Sequence, residues 1–275
     1  MSDAQALATP PTAPEAADEA LALDLRNLPY ERDRGLDGRA AVGLLVLSSD
    51  QILEIECRRV FERARVALHH TRLFNDSEVT PETLAQMEGR LAGATELILP
   101  GVPLEVIGYG CTSGAMVIGE ETVAERVREV RPGVAVTTPM TAAVAAFEAL
   151  GVRRIGLLTP YLDEINQTMR RHIDARGYQV TAMASFNEPD DTKVAGITLD
   201  SVMQAARQVG APDAVDAVFV SCTNLRLLDG AAALEAELGK PVTSSNHALA
   251  WHCLRLAGID DTLGEFGSLF TKPLP

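Results

Sequence analysis

Two short stretches carry the residue types best suited to chemistry: Val106-Ile107-Gly108-Tyr109-Gly110-Cys111-Thr112-Ser113-Gly114 and Ala217-Val218-Phe219-Val220-Ser221-Cys222-Thr223-Asn224. Each is an apolar, β-branched run that stops at small residues and then presents Cys-Thr. Such a run reads as a buried strand, and the turn at its carboxyl end is where open α/β sheets hold ligands. A cysteine is often just a small buried hydrophobe, a reading that suits Cys57 and Cys253 in their helical patterns. Cys111 and Cys222 instead follow strands, where backbone N–H groups and a following helix are expected to lower a thiol's pKa. Two thiols facing one cleft suit proton transfer at a carbon acid. A thiolate removes a proton from one face and a thiol returns one on the other. Thr112, Ser113, Thr223 and Asn224, with nearby N–H groups, are the expected donors to the substrate carboxylate.

Other chemistries find less support. Lys193, Lys240 and Lys272 lie outside any catalytic-looking turn, so an imine cofactor is not expected, and the reaction is read as cofactor-independent. Gly108, Gly110 and Gly114 surround a cysteine and lack the full dinucleotide fingerprint. The histidines form no metal-binding spacing. His247, after Ser244-Ser245-Asn246, is the histidine expected to line the cleft.

The elements that must position these turns follow from periodicity. Residues 41–47 form a buried strand ending in Ser48-Ser49-Asp50, and 51–64 a helix with Ile52, Ile55, Val60 and Phe61 on its apolar face. A strand at 66–71 follows. Thr80-Pro81-Glu82 starts a helix toward residue 99, with a break at Gly93. After the strand to Cys111 come a helix at 119–130, a strand at 134–137 and a helix at 141–150. The pattern then restarts: strand 154–159, helix 162–176 with Gly177 at its end, strand 178–184, and a polar loop over 186–192. A helix at 199–209, the strand to Ser221, and helices at 230–238 and 247–256 complete it. Gly43 and Gly156, Cys111 and Cys222, and Val136 and Val242 are each separated by roughly 110 residues, which points to an internal duplication.

The fold expected is therefore α/β: two pseudo-symmetric Rossmann-like domains with mostly parallel sheets and a cleft between them. Residues 1–36 read as a flexible N-terminal arm, with a short helix or an extended segment over 21–28. Residues 37–140 form the first domain and 141–258 its duplicate, with helix exchange across the boundary possible. Residues 259–275 pack back on the body. Of the 275 residues, 47% are hydrophobic and 4% aromatic, so Val, Leu, Ile and Ala must fill the core. The formal charge of −14 argues against a nucleic-acid partner but permits a small carboxylate-bearing substrate. No apolar run reaches membrane-span length. The N-terminus lacks signal-peptide features, and free thiols fit a cytoplasmic protein. A homodimer is the default assembly.

The motifs Leu47-Ser48-Ser49-Asp50, Gly110-Cys111-Thr112, Leu158-Thr159-Pro160-Tyr161, Asp190-Asp191-Thr192-Lys193-Val194 and Ser221-Cys222-Thr223-Asn224 give the chain a specific likeness. From about residue 42 to 259 it resembles the aspartate/glutamate racemase superfamily. Within it, the chain looks closest to maleate cis-trans isomerases, arylmalonate decarboxylase-like proteins and the ectoine-utilisation racemase-like branch. The resemblance implies Cys111 as nucleophile, Cys222 as proton donor and Tyr161 at the substrate carboxylate. It also implies substrate contacts from Ser49, Asp50 and Asp191.

Two departures shape the expectation. Maleate isomerases carry asparagine where this chain has Asp50 and Asp191, and an ionised aspartate cannot donate to a carboxylate. Both acids in the cleft would favour a substrate with an ammonium group. Asp50 could instead orient a thiol or cap a helix, and Asp191 could be a solvated loop acid. Arylmalonate decarboxylase resembles a one-cysteine version with glycine at the first position. The Cys-Thr turns look nearer to amino-acid racemases. The leading expectation is a cofactor-independent racemase or epimerase of a small amino acid or N-acylated amino acid. The alternatives are a maleate-like cis-trans isomerase with a Cys111 adduct, an arylmalonate-type decarboxylase, and a non-catalytic small-molecule-binding protein.

Overall fold

The computed structural model describes residues 23, 25–31, 39–76 and 78–275. The flexible stretch expected over 4–19 and the start of the ordered body near Gly38 lie outside the described residues. Residues 25–31 run without helix or strand. The remainder of the chain, Leu36–Pro275, clusters as one compact unit. No described helix is long and apolar enough to cross a membrane.

Eight strands form two four-stranded sheets, parallel throughout. The first contains β1 (Ala41–Leu47), β2 (Ala67–Leu73), β3 (Val106–Gly110) and β4 (Ala135–Thr137), in the order β2-β1-β3-β4. The second contains β5 (Arg154–Thr159), β6 (Gln179–Ser185), β7 (Ala217–Val220) and β8 (Val242–Ser244), in the order β6-β5-β7-β8. The same order in each sheet is the structural form of the duplication. Strands buried on both faces need no polar alternation, which is why β1 and β3 read as continuous apolar runs and are buried throughout. Register then places the reactive turns. Val42 pairs with Val106 and Val46 with Gly110, so the loops after β1 and β3 emerge at one edge. Ile155 pairs with Ala217 and Leu158 with Val220, which does the same for Tyr161 and Cys222.

The helices of the first half are α1 (Leu53–Ala64), α2 (Pro81–Ala85), α3 (Leu91–Glu96), α4 (Thr112–Ile118), α5 (Glu120–Val130) and α6 (Pro139–Leu150). Those of the second are α7 (Asp163–Asp174), α8 (Asp191–Val194), α9 (Leu199–Gly210), α10 (Ala231–Leu238) and α11 (Ser245–Leu256). The terminal helix of each half serves the other. Phe147 of α6 meets Tyr178 and Phe219 of the second half edge-to-face, with centroids at 5.2 and 5.5 Å. Helix α11 packs against α1, β3 and β4 of the first half. In the C-terminal segment Leu269 and Phe270 are fully buried, and the buried Arg255 guanidinium donates to the carbonyls of Ile259, Asp261, Phe270 and Lys272.

Three local expectations change. The helix from residue 81 is divided by a 3₁₀ turn at Glu88–Arg90, and Gly93 lies inside α3. Its start is as read: Thr80 and Thr83 exchange side-chain-to-backbone hydrogen bonds, with Pro81 at the first position. Helix α4 was not expected, since its Gly114 and β-branched residues are poor helix formers. It forms because Cys111 caps it, and Gly119, at φ +95°, separates it from α5.

Helix α1 is rotated from its expected face. Ile55 is exposed, whereas Glu56 is buried in line with Leu53, Cys57, Val60 and Phe61. Glu56 Oε1 accepts from the N–H groups of Leu227 and Leu228 at 2.8 and 2.9 Å, and Oε2 from the Asn246 amide at 2.8 Å. Asn246 also donates to the Thr223 carbonyl at 2.9 Å, so Glu56 braces the loop that carries Cys222. Replacing Glu56 with alanine strands three buried donors and should lower unfolding stability by about 3 kcal/mol or more. Urea denaturation checks this; an unchanged midpoint would show that the loop does not depend on Glu56.

Candidate active site

Cys111 ends β3 and caps α4. Its extended backbone, φ −146° and ψ 117°, lets Sγ turn back and accept the Gly114 N–H at 3.2 Å. The Ser113 hydroxyl lies 3.8 Å from the same sulfur. Glycine is needed at 114: a Cβ there would stand 2.5 Å from the Tyr109 hydroxyl and 2.9 Å from Cys111 Sγ. Tyr109 in turn donates to the Met87 sulfur at 3.6 Å, closing a buried shell around the thiol.

Cys222 occupies the matching place after β7 with a different backbone. Its φ of +135° is a conformation that L-residues rarely adopt, and strain of this kind persists only where surroundings enforce it. The enforcing contacts are present. Cys222 N–H donates to Ser245 Oγ at 3.1 Å, and Cys222 Sγ accepts the Asn224 N–H at 3.4 Å. Ser245 Oγ also lies 2.8 Å from Thr112 Oγ1, so one hydroxyl from the first turn of α11 joins the two cysteine turns.

Cys111, Thr112, Ser113, Tyr161, Asp191, Cys222 and Thr223 all line one cleft. Tyr161 is buried, with its phenol toward Cys222. Thr112 is committed to Ser245, and the Thr223 hydroxyl donates at 3.4 Å to the Gly110 carbonyl. The N–H groups of Thr112 and Ser113, first in α4, have no carbonyl to bond within the helix.

The other expected residues stand behind or away from this lining. Asn224 is spent on scaffold: its amide donates to the Asp191 carbonyl at 3.0 Å and Asp191 Oδ2 at 3.1 Å, while Oδ1 accepts the Gln51 N–H at 2.8 Å. Ser49 donates to Asp191 Oδ2 and accepts from the Asn75 amide at 2.8 Å. Asp50 is both a cap and something more. Oδ1 accepts the N–H groups of Ile52 and Leu53, whereas buried Oδ2 has no hydrogen-bond partner. His247 does not line the cleft. Its ring bridges Thr243 Oγ1 and the Phe266 carbonyl and packs on Phe270, because the returning C-terminal segment supplies its partners. Sequence reasoning missed Ser245, Asn246 and Glu56; the signal for Glu56 was its place on the buried stripe of α1.

Electrostatics reverse the expectation of a lowered thiol pKa. Burial pushes Cys111 up to about 11, outweighing the hydrogen bonds from Gly114 and Ser113, and the Asp191 charge adds to the rise. Burial also raises Cys222 well above the usual thiol range, again reinforced by Asp191 and opposed by the Asn224 N–H and Tyr161. Burial raises both Asp50 and Asp191 as well. The resting site therefore holds two neutral thiols. Alkylation of Cys111 by iodoacetamide should accelerate about tenfold per pH unit above neutrality, heading for an inflection near about 11. Peptide mass spectrometry reads the rate, and a plateau at neutral pH would contradict the neutral-thiol assignment.

Comparison with known proteins agrees with this geometry. Residues 78–270 match the arylmalonate decarboxylase family. The chain is 31% identical over 232 residues to a maleate isomerase of Nocardia farcinica, covering 79% of this chain and 90% of that protein. It is 32% identical over 128 residues to arylmalonate decarboxylase of Bordetella bronchiseptica, covering 46% of this chain and 53% of that one. Among solved structures, a cysteine-to-serine mutant of the Nocardia farcinica maleate cis-trans isomerase carries a covalently bound succinylcysteine intermediate. It superposes with a TM-score of 0.76 at 28% identity, covering 84% of this chain and 98% of that one. A duplicated parallel fold, paired cleft cysteines and these matches together place the chain in the arylmalonate decarboxylase–maleate isomerase family.

Proposed function

We propose that the chain is a cofactor-independent isomerase of a small carboxylate, with Cys111 as nucleophile and Cys222 as proton donor in a cis-trans isomerisation of maleate type. The observation that carries this reading is the pair of buried thiols lining one cleft in a chain whose relatives include maleate isomerases. The sequence expectation ranked racemisation first; the relatives move cis-trans isomerisation ahead of it. Cys111 retained at the first position speaks against the one-cysteine decarboxylase pattern.

The chemistry balances without a co-reactant. As Cys111 loses its proton, its sulfur bonds to one olefinic carbon. The π pair moves to the neighbouring carbon, which takes a proton from Cys222. The proton lost by Cys111 passes to water, which leaves Cys222 as the thiolate, and it returns to Cys111 when the C–S bond breaks. Rotation about the resulting single bond follows. Cys222 then recovers the proton, the C–S bond breaks, and the double bond reforms in the trans geometry. N–H groups at Thr112 and Ser113, with Tyr161, hold the carboxylate while charge develops on it.

A second reading is favoured by the acids of the cleft. Asp191 lines it and Asp50 lies beside Cys222, an arrangement unlike the amide pair implied for maleate isomerases. Under that reading the thiols exchange the α-proton of an amino acid or N-acylated amino acid, the reaction class of the ectoine-utilisation racemase-like branch, and no adduct forms.

One experiment separates them. Cys222→Ser incubated with maleate should accumulate an adduct equal to one substrate mass on Cys111, while Cys111→Ser should lose about a thousandfold or more in turnover. Deuterium entering an amino acid's α-carbon from D₂O, with no adduct, would replace the first reading with the second. Turnover that survives both substitutions would remove both.

A further inference from the structure

The polarity of the cleft says more about the substrate than the thiols do. The side chains that line it include three acids, Asp76, Glu78 and Asp191, and among the described lining residues no lysine, arginine or histidine. Asp76 and Glu78 are exposed, on the loop that meets the Asp190 backbone in a single β-bridge. They form a rim. Asp191 lies deeper, 8% exposed, and both hydrogen bonds to its carboxylate fall on Oδ2, from Ser49 and Asn224. Its Oδ1 accepts no hydrogen bond from the described residues. Nearby cations are engaged elsewhere: Lys193 pairs with Asp190 at 3.5 Å, and Arg72 with Glu54 at 2.9 Å and the Leu47 carbonyl at 3.0 Å.

A second observation is independent of the rim. Asp50 is 3% exposed, and its Oδ2 is buried beside Thr223 and Cys222 with no hydrogen-bond partner. A buried polar atom left unsatisfied is costly, and sites built for a particular donor are where such atoms are found. Two carboxylates, Asp191 inside the lining and Asp50 buried beside Cys222, thus put negative charge at a cavity whose described lining residues include no cation.

We infer that the substrate of this cleft is a carboxylate whose other end carries an ammonium or comparable cationic group, the carboxylate lying among the cysteine turns and the cation against Asp191. A dianion would put its second carboxylate against Asp191 and the acidic rim with no cation to offset it. The cation also helps the chemistry, because Asp191 raises both thiols and a positive charge beside it offsets that effect. The inference rests on the cleft being the substrate site, which both readings above share. Within the proposed isomerisation it calls for an unsaturated acid with one carboxylate and one cationic end, and within the second reading for an amino acid with its ammonium group free.

Matched ligands test it on the intact chain. Succinate and 4-aminobutanoate have the same carbon count but differ in one terminal charge, and their binding can be titrated by calorimetry. The native protein should hold 4-aminobutanoate about tenfold or more tighter than succinate, and Asp191→Asn should narrow or invert that ratio. The exposed-site double variant Asp76→Asn, Glu78→Gln should weaken the preference with the core untouched, so the test does not depend on Asp191→Asn folding. Tighter binding of succinate by the native protein overturns the inference and leaves the maleate-type reading standing. So does a preference that neither variant changes. Binding of neither ligand, with Cys111 alkylation unprotected by both, removes the cleft as a carboxylate site and the proposed function with it.

Discussion

Glu56 is buried, and a carboxylate taken out of water must be satisfied by donors the chain brings to it. The donors here are the N–H groups of Leu227 and Leu228 and the Asn246 amide, from the loop after β7 and the first turn of α11. Asn246 passes the constraint to the Thr223 carbonyl, and its neighbour Ser245 passes it to the Cys222 N–H and the Thr112 hydroxyl. A connected set of buried polar groups is stiff, because each member is costly to leave unpaired. Both cysteine turns are therefore braced from the first turn of one helix, α11. The strained backbone of Cys222 is the local sign of that enforcement.

The same burial that fixes the thiols sets their resting chemistry. Thiols this far from water stay protonated, and neighbouring carboxylates reinforce the effect. Such a site is inert toward passing electrophiles and depends on the bound molecule to draw out a thiolate.

Much of this was legible in the sequence. The sheets and the two cysteine turns were read from buried β-branched runs and their repetition, signals that depend on period alone. Helix α1 was read on the wrong face because Ile52 and Ile55 resemble core residues and Glu56 resembles surface. The stripe through Leu53, Glu56, Cys57, Val60 and Phe61 had the better spacing, but its polar member is tolerated only through partners about 170 residues away. His247 fails for a related reason: its surroundings come from a C-terminal segment that no local pattern places. The thiol pKa values were misjudged because a turn's N–H groups are visible in sequence, whereas the extent of desolvation is not.

The exchange of terminal helices has a consequence for how such a fold can be divided. Because α11 packs on the first sheet while α6 leans its Phe147 on the second, neither repeat is covered entirely by its own helices. A fragment ending after β4 would bare the sheet face that α11 protects, and the complementary fragment would carry an orphan helix. Two co-expressed fragments cut between α6 and β5 would reassemble as a split protein, whereas either one alone would aggregate.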